Sequence, residues 1–201
     1  MADFIQVLGG GITGALLTQG LIFLKEKASE RGDAKITAAF FAAELEAFAF
    51  ACADRHQQSA QWEHSNGEHG QPWRTVPDLA PMEKTNWRHI GIDDTQRIIQ
   101  LRSAISGRNA ELEAIFEFID GEEAVKMGSD SCAEYGHRAM TITSHLYRRF
   151  KLKLPATNGD WNVREYLERE WKAVKAARLK EEARQREFEA SVVTAANETP
   201  R

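Results

Sequence analysis

Cysteine is nearly missing from this 201-residue chain: Cys52 and Cys132 are the only two. Two isolated thiols build neither a disulfide framework nor a zinc knuckle, which points to a reducing compartment. A basic surplus is missing as well. The formal net charge is −4 and the pI about 5.9, so no nucleic-acid partner is expected, because such a binder carries a basic face and a high pI. Sustained apolar–polar alternation is also missing. No Asn-Gly or Gly-Asn pair sits between β-rich runs, which excludes a sheet as the organising element. Apolar residues are plentiful, at 42% against 28% charged, the balance of a folded chain.

Charge is absent from Phe4 to Leu24, FIQVLGGGITGALLTQGLIFL, a run of 21 positions. A helix of about 20 residues rises about 30 Å, the thickness of a hydrocarbon core. Residues 1–24 therefore read as a transmembrane anchor, with membrane lipid as its partner. A signal peptide would need a basic start and a small-residue cleavage site; only Asp3 precedes the run, and no A-x-A site follows. Gly9-Gly10-Gly11-Ile12-Thr13-Gly14 satisfies G-x-G-x-x-G, but only a dozen residues separate Gly14 from Glu26. That is too few for the helix and second strand a dinucleotide site needs. Gly10 and Gly14 instead form a G-x-x-x-G pair, which permits self-association of the helix. Lys25, Lys27, Arg31 and Lys35 follow the run and no Lys or Arg precedes it. The positive-inside rule then makes the chain a single-pass protein of the inner (plasma) membrane with its C-terminal part cytoplasmic. On that side the sequon Asn197-Glu198-Thr199 has no meaning.

Residues 25–179 read as a helical bundle domain. Ile36, Phe40, Phe41, Leu45, Phe48, Ala49 and Cys52 recur at three- and four-residue steps, predicting a helix from Lys25 to about Gln58. Arg31-Gly32-Asp33 is a candidate hinge in it. Residues 62–92 read as a long irregular loop carrying Trp62, Trp73 and Trp87, with Pro72, Pro77 and Pro81. These tryptophans either pin the loop to the bundle or offer a protein partner a surface. Asp93 or Asp94 is expected to cap the next helix, which carries Ile98, Leu101, Ile105, Leu112, Ile115, Phe116 and Ile119 as its apolar residues, with a possible break at Gly107. Asp120-Gly121 ends it, and a further helix spans 122–151. Pro155 to Asp160 is a turn, and Asp160 caps a last helix from Trp161. Residues 180–201 form a charged tail, helical or disordered, expected to leave the bundle and fray toward its end. The expected core includes Phe41, Leu45, Phe48, Ile98, Leu101, Ile115, Leu146 and Leu167.

The stretches AAELEAFAFACADRH, NWRHIGID and GHRAMTITSHLYRRFKL resemble a group of uncharacterised bacterial proteins with one N-terminal membrane helix and a helical cytoplasmic domain. The resemblance implies that architecture and brings no activity with it.

Side chains able to do chemistry are scattered. Glu134 and His137 form one E-x-x-H, but a di-iron bundle needs two, plus two more glutamates, for which Glu111, Glu113 and Glu117 are the nearby carboxylates. Cys52 and His56 share a helix face, as a nucleophile and base would, or as a core cysteine and a peripheral histidine. Glu63-His64 and Glu68-His69 lie in or beside the loop. His145, Arg148, Arg149, Lys151 and Lys153 cluster where a helix ends, to offset its dipole or to meet anionic lipid. No residue is assigned as catalytic, cofactor-binding or metal-ligating, and no cofactor is expected. The sequence predicts an all-α protein, an N-terminal transmembrane helix continuing into an antiparallel bundle, acting as an interaction or scaffold module. The competing readings are an enzyme or toxin-like effector whose site carries no motif, and a soluble helical protein whose N-terminal helix is buried.

Overall fold

A computed structural model describes residues 3–79, 87–153 and 162–198, with side chains placed between residues 29 and 191 of those ranges. The chain is all-α, with no strand among the described residues. Helix α1 is Asp3–His64, α2 is Ile92–Phe118, α3 is Gly121–Phe150 and α4 is Val163–Glu198; a short 3-10 turn, Trp87–His89, precedes α2. Helix α3 packs against all three others. Helix α1 runs antiparallel to it, since Cys52 meets Gly136 while Glu46 hydrogen-bonds Tyr147. Helix α2 does the same, with Arg108 on Ser131 and Asp94 on Arg149.

The α1–α3 contact is built from small residues. Ala38, Ala42, Ala49, Cys52 and Ala53 of α1 are buried, as are Cys132, Ala133 and Ala139 of α3. Small side chains let two helix backbones approach closely, and the loss of apolar side-chain area is offset by dense packing. Gly136 marks the tightest point. A Cβ there would lie 2.9 Å from the Cβ of Cys52 and 2.9 Å from a methyl of Leu167, so α1, α3 and α4 meet over this one residue.

Larger side chains fill the space around that seam. Phe41, Leu45, Ile98, Leu101, Leu146 and Leu167 are fully buried, and Phe48 nearly so. Ile115 is only half-buried, and Leu112 takes the inward position one turn earlier. Ile36 and Phe40 of the expected stripe face solvent. They share the helix with the core residues but precede or flank the point where α3 begins to cover α1.

Three further expectations need correction. Helix α1 continues to His64, so Trp62 is helical rather than in the loop. Helix α2 runs unbroken through Gly107, where no neighbour lies within 4 Å of a would-be Cβ and helix propensity alone does not end the run. Gly91 is the residue before α2 and no side chain caps it; Asp94 is buried inside the first turn. Of the two forms open to the charged tail, it takes the helical one to Glu198, with Arg186–Glu182 and Arg184–Glu181 ion pairs along an exposed face. The expected cap Asp160 and the turn from Pro155 lie outside the described residues. Asn162 precedes α4, and its side-chain oxygen accepts from the Glu165 N–H at 3.3 Å. Asp120, read as a helix stop, also starts α3 by accepting from the Glu122 N–H at 2.8 Å.

The connection between α1 and α2 belongs to the core. Val76, Leu79 and Ile90 are buried in it, and Trp87 stacks on Phe41 at 4.5 Å between ring centres. Asn109 of α2 donates to the Val76 carbonyl and accepts from its N–H, so one amide clamps the strap. Gly128 of α3 lies beneath it, with the Arg74 carbonyl oxygen 2.6 Å from a would-be Cβ.

One described helix, the Ser29–His64 part of α1, is long and apolar enough to cross a membrane, with a stretch of mean hydropathy 1.6. Half of that stretch is buried inside the bundle, so it serves as a core helix. The side chains of residues 4–24, including Gly10 and Gly14, lie outside the described set.

Truncating Leu45 to Ala should destabilise the fold by about 2–5 kcal/mol. Gly136→Ala should cost about 1–3 kcal/mol by forcing three helices apart. Glu181→Ala, on the exposed face of α4, should leave the melting temperature unchanged. Thermal melts of the three variants check this. Equal melting temperatures would contradict the packing described.

Candidate functional site

The titratable side chains gather in three places. The first is a polar seam where α2 begins and α3 ends. Asp94 is fully buried, Arg149 Nη1 donates to its Oδ2 at 2.5 Å, and His145 Nε2 lies 3.2 Å from Oδ1. The Arg149 contact is an aligned charge-assisted bond; the His145 contact is close but off the hydrogen-bond direction, and Oδ1 accepts no bond. Arg149 and His145 are one turn apart, so both reach the same carboxylate from one face of α3. The basic cluster read from the sequence is thus divided. His145 and Arg149 hold a buried anion, while Arg148, Lys151 and Lys153 remain exposed. The left-handed backbone at Lys151 ends α3 and turns the chain out.

The second place lies between α1, α3 and α4. His56 Nδ1 and the Tyr166 hydroxyl share a hydrogen bond of 2.8 Å. Burial holds the His56 ring below its ordinary value, although Glu170, Asp130 and Glu63 pull it back up. Burial, then the Glu170 charge, pushes the Tyr166 phenol up to about 12. Asp130 is raised mainly by burial. The imidazole is therefore neutral and the phenol protonated at physiological pH, which makes this a structural polar contact with a neutral interior.

The third is a cleft of about 500 Å3 lined by Arg108, Glu111, Glu134, Tyr135 and Arg178. Its cations are already matched. Arg178 bonds Glu134 at 2.8 Å across α3 and α4, and Arg108 bonds Glu111 at 2.7 Å and Ser131 at 2.8 Å.

The pairs singled out in the sequence come apart here. Glu134 of the E-x-x-H faces Arg178, and His137 is shifted down by burial. Glu113 pairs with Arg74 and Glu117 is exposed. Cys52 lies against Cys132 rather than serving His56, and burial pushes its thiol well up, which leaves it protonated and a poor nucleophile. His64 Nδ1 is 2.8 Å from the Ala60 carbonyl oxygen. Among the described residues no group of three or more His, Cys, Asp or Glu is placed to hold a metal ion. Of the tryptophans, Trp73 donates to Gln58 at 2.8 Å under the Arg55 guanidinium, and Trp87 packs on Phe41. Trp62 lines a surface groove of about 630 Å3 with Glu63, Asp120, Glu122, Glu123 and Lys126.

The chain matches no protein-family model, no curated protein and no solved structure. Its own residues carry the functional reading. What they form is a set of paired polar contacts, with Asp94 Oδ1 left without a bond, and an acidic groove at the end where α1 and α2 finish. The buried Asp94 was missed in the sequence because one of two adjacent aspartates was expected to cap the helix. The usable signal was that two carboxylates competed for one cap, with a His-x-x-x-Arg pair available on another helix.

Two outcomes follow. Arg149→Met should destabilise the fold by about 1–3 kcal/mol, less than the ~3–5 kcal/mol of a fully buried pair because the arginine is half exposed and screened. A double-mutant cycle with Asp94→Asn reads the coupling, and additive effects would contradict it. The His56 ring takes up a proton less readily folded than unfolded. Its contribution is therefore complete above the ordinary value of 6.5 and declines as pH falls through it. Glu46 and Asp130, both raised by burial, act with the opposite sign at lower pH, near the carboxylate range. Melting temperature should thus fall between about pH 7.5 and 5.5, and His56→Gln should flatten part of that slope. An unchanged slope would contradict the assignment.

Proposed function

We propose that the chain is a membrane-tethered interaction or scaffold module, a bundle held at the cytoplasmic face of the inner (plasma) membrane by one pass through residues 4–24. The supporting observation is the continuity of α1, one helix of 62 residues from Asp3 to His64. At 1.5 Å per residue it is about 93 Å long, far more than the bundle needs. Its second half is committed to the core, where Phe41, Leu45 and Phe48 are buried. Its first half carries the uncharged run, with length for a bilayer and nothing charged to keep it in water. Burial begins at Thr37, so about 20 Å of helix separates Leu24 from the bundle. The basic flank sets the orientation. Gly10 and Gly14 give the anchor a face for self-association. The protein partner surface is the groove around Trp62, at the end remote from the tether.

The full-length chain should sediment with membranes and resist carbonate and high salt. Recovery of intact protein in the soluble fraction without detergent would reject the tether and favour the reading in which the N-terminal helix is buried in an assembly. In a membrane association reporter, Gly14→Leu should weaken the signal; an unchanged signal would remove the glycine pair from the account.

A further inference from the structure

The two ends of the bundle differ in charge. Helix α1 enters at Thr37 beside the C-terminus of α3 and the N-terminus of α2, because Trp87 stacks on Phe41 and Arg149 reaches Asp94 and Gly91. This end exposes Arg148, Lys151 and Lys153, and it shares Arg149 with the buried Asp94. Among the described residues the acids near it are Asp93 and Glu165, both exposed, Glu46, which bonds Tyr147, and Glu30 and Asp33 on the stalk, which alternate with Arg31 and Lys35. The same end exposes two large aliphatic side chains, Ile92 at 84% and Ile36 at 71%. The opposite end carries the acidic groove of Asp120, Glu122 and Glu123.

We infer that the basic end of the bundle, tipped by Ile92, binds the headgroups of an anionic phospholipid bilayer. The inference rests on the tether proposed above, and three observations point to it. The basic end is the one from which α1 leads back to the uncharged run. Its cations share that end of the bundle with exposed aliphatic groups, the combination by which a surface lies on a membrane interface. The spacing also fits. About 20 Å of stalk, less about 5–7 Å of headgroup layer, leaves a gap not much larger than a Debye length of about 8–10 Å. Extended Lys and Arg stems narrow it, and a lean within the 0–40° that membrane helices adopt lowers one edge of the bundle onto the surface. Each basic residue near such a surface then adds attraction that neutral lipid does not supply.

The test uses the full chain in vesicles of phosphatidylcholine alone and of phosphatidylcholine with phosphatidylglycerol. Amide hydrogen exchange is read at residues 88–97 and 145–153. Exchange there should be slower by on the order of tenfold with phosphatidylglycerol present, and the difference should vanish at high salt. The triple substitution Arg148→Gln, Lys151→Gln, Lys153→Gln should abolish it too, with the melting temperature retained because all three side chains are exposed. Equal exchange on both vesicles, with the chain still resistant to carbonate, overturns this inference and leaves the tether standing. A lipid-dependent difference that survives the triple substitution also overturns it. A chain that washes off both kinds of vesicle overturns the tether and this inference together.

Discussion

The close approach of α1 and α3 is the constraint on which the rest of the bundle depends. Alanines and a cysteine on one helix face glycine, alanine and a second cysteine on the other, and the backbones meet where Gly136 leaves room. Helices this close exclude water along the seam, so the groups caught there must be neutral or paired. That accounts for the protonated thiol of Cys52 and the lowered ring of His56. Helix α4 uses the same gap, with Leu167 set against Gly136. A seam of small residues supplies little apolar area of its own. The large side chains beside it, Phe41, Leu45 and Leu146, therefore carry most of the hydrophobic stabilisation, at about 1.5–3 kcal/mol each on full burial.

The packing of α2 is fixed differently. Its polar links to α3 sit at intervals along the helix, at Asp94 and at Arg108. Leaving a buried carboxylate without a partner is expensive, so any slip of α2 along α3 is penalised more than a slip of apolar groups would be. The strap between α1 and α2 adds a third point. The Asn109 amide satisfies both the N–H and the carbonyl of Val76, which a shifted helix could not do. The stretch of the connection around Val76 is thereby tied to α2.

The helices themselves were legible because their apolar residues recur at helical spacing; seven of the eight expected core residues are buried and Ile115 is half-buried. Periodicity tells which face is apolar but not how far along that face a neighbour extends, so Ile36 and Phe40 were read as inward. The length of α1 past Gln58 was not legible, since Gln, Trp, Glu and His give no apolar stripe there. The strap was read as irregular; at Val76 it is held by Asn109 and lies over Gly128, both far away in sequence. The Asp94 seam was hidden for a related reason. Local rules assign an aspartate at a helix start to capping, and only the tertiary fold brings His145 and Arg149 to it.

Under the proposed tether, the continuous helix α1 and a charge-polarised bundle would reinforce one another. Were the bundle joined by a flexible linker, surface attraction would have to overcome the freedom of the whole domain before any headgroup contact formed. A continuous helix removes most of that freedom in advance, so contacts that would be weak in free solution count for more. The same rigidity fixes which end faces which way. In the arrangement proposed above the basic end faces the bilayer, and the acidic groove around Trp62, with the exposed Phe118 and Ile119, points away from a surface that would repel it.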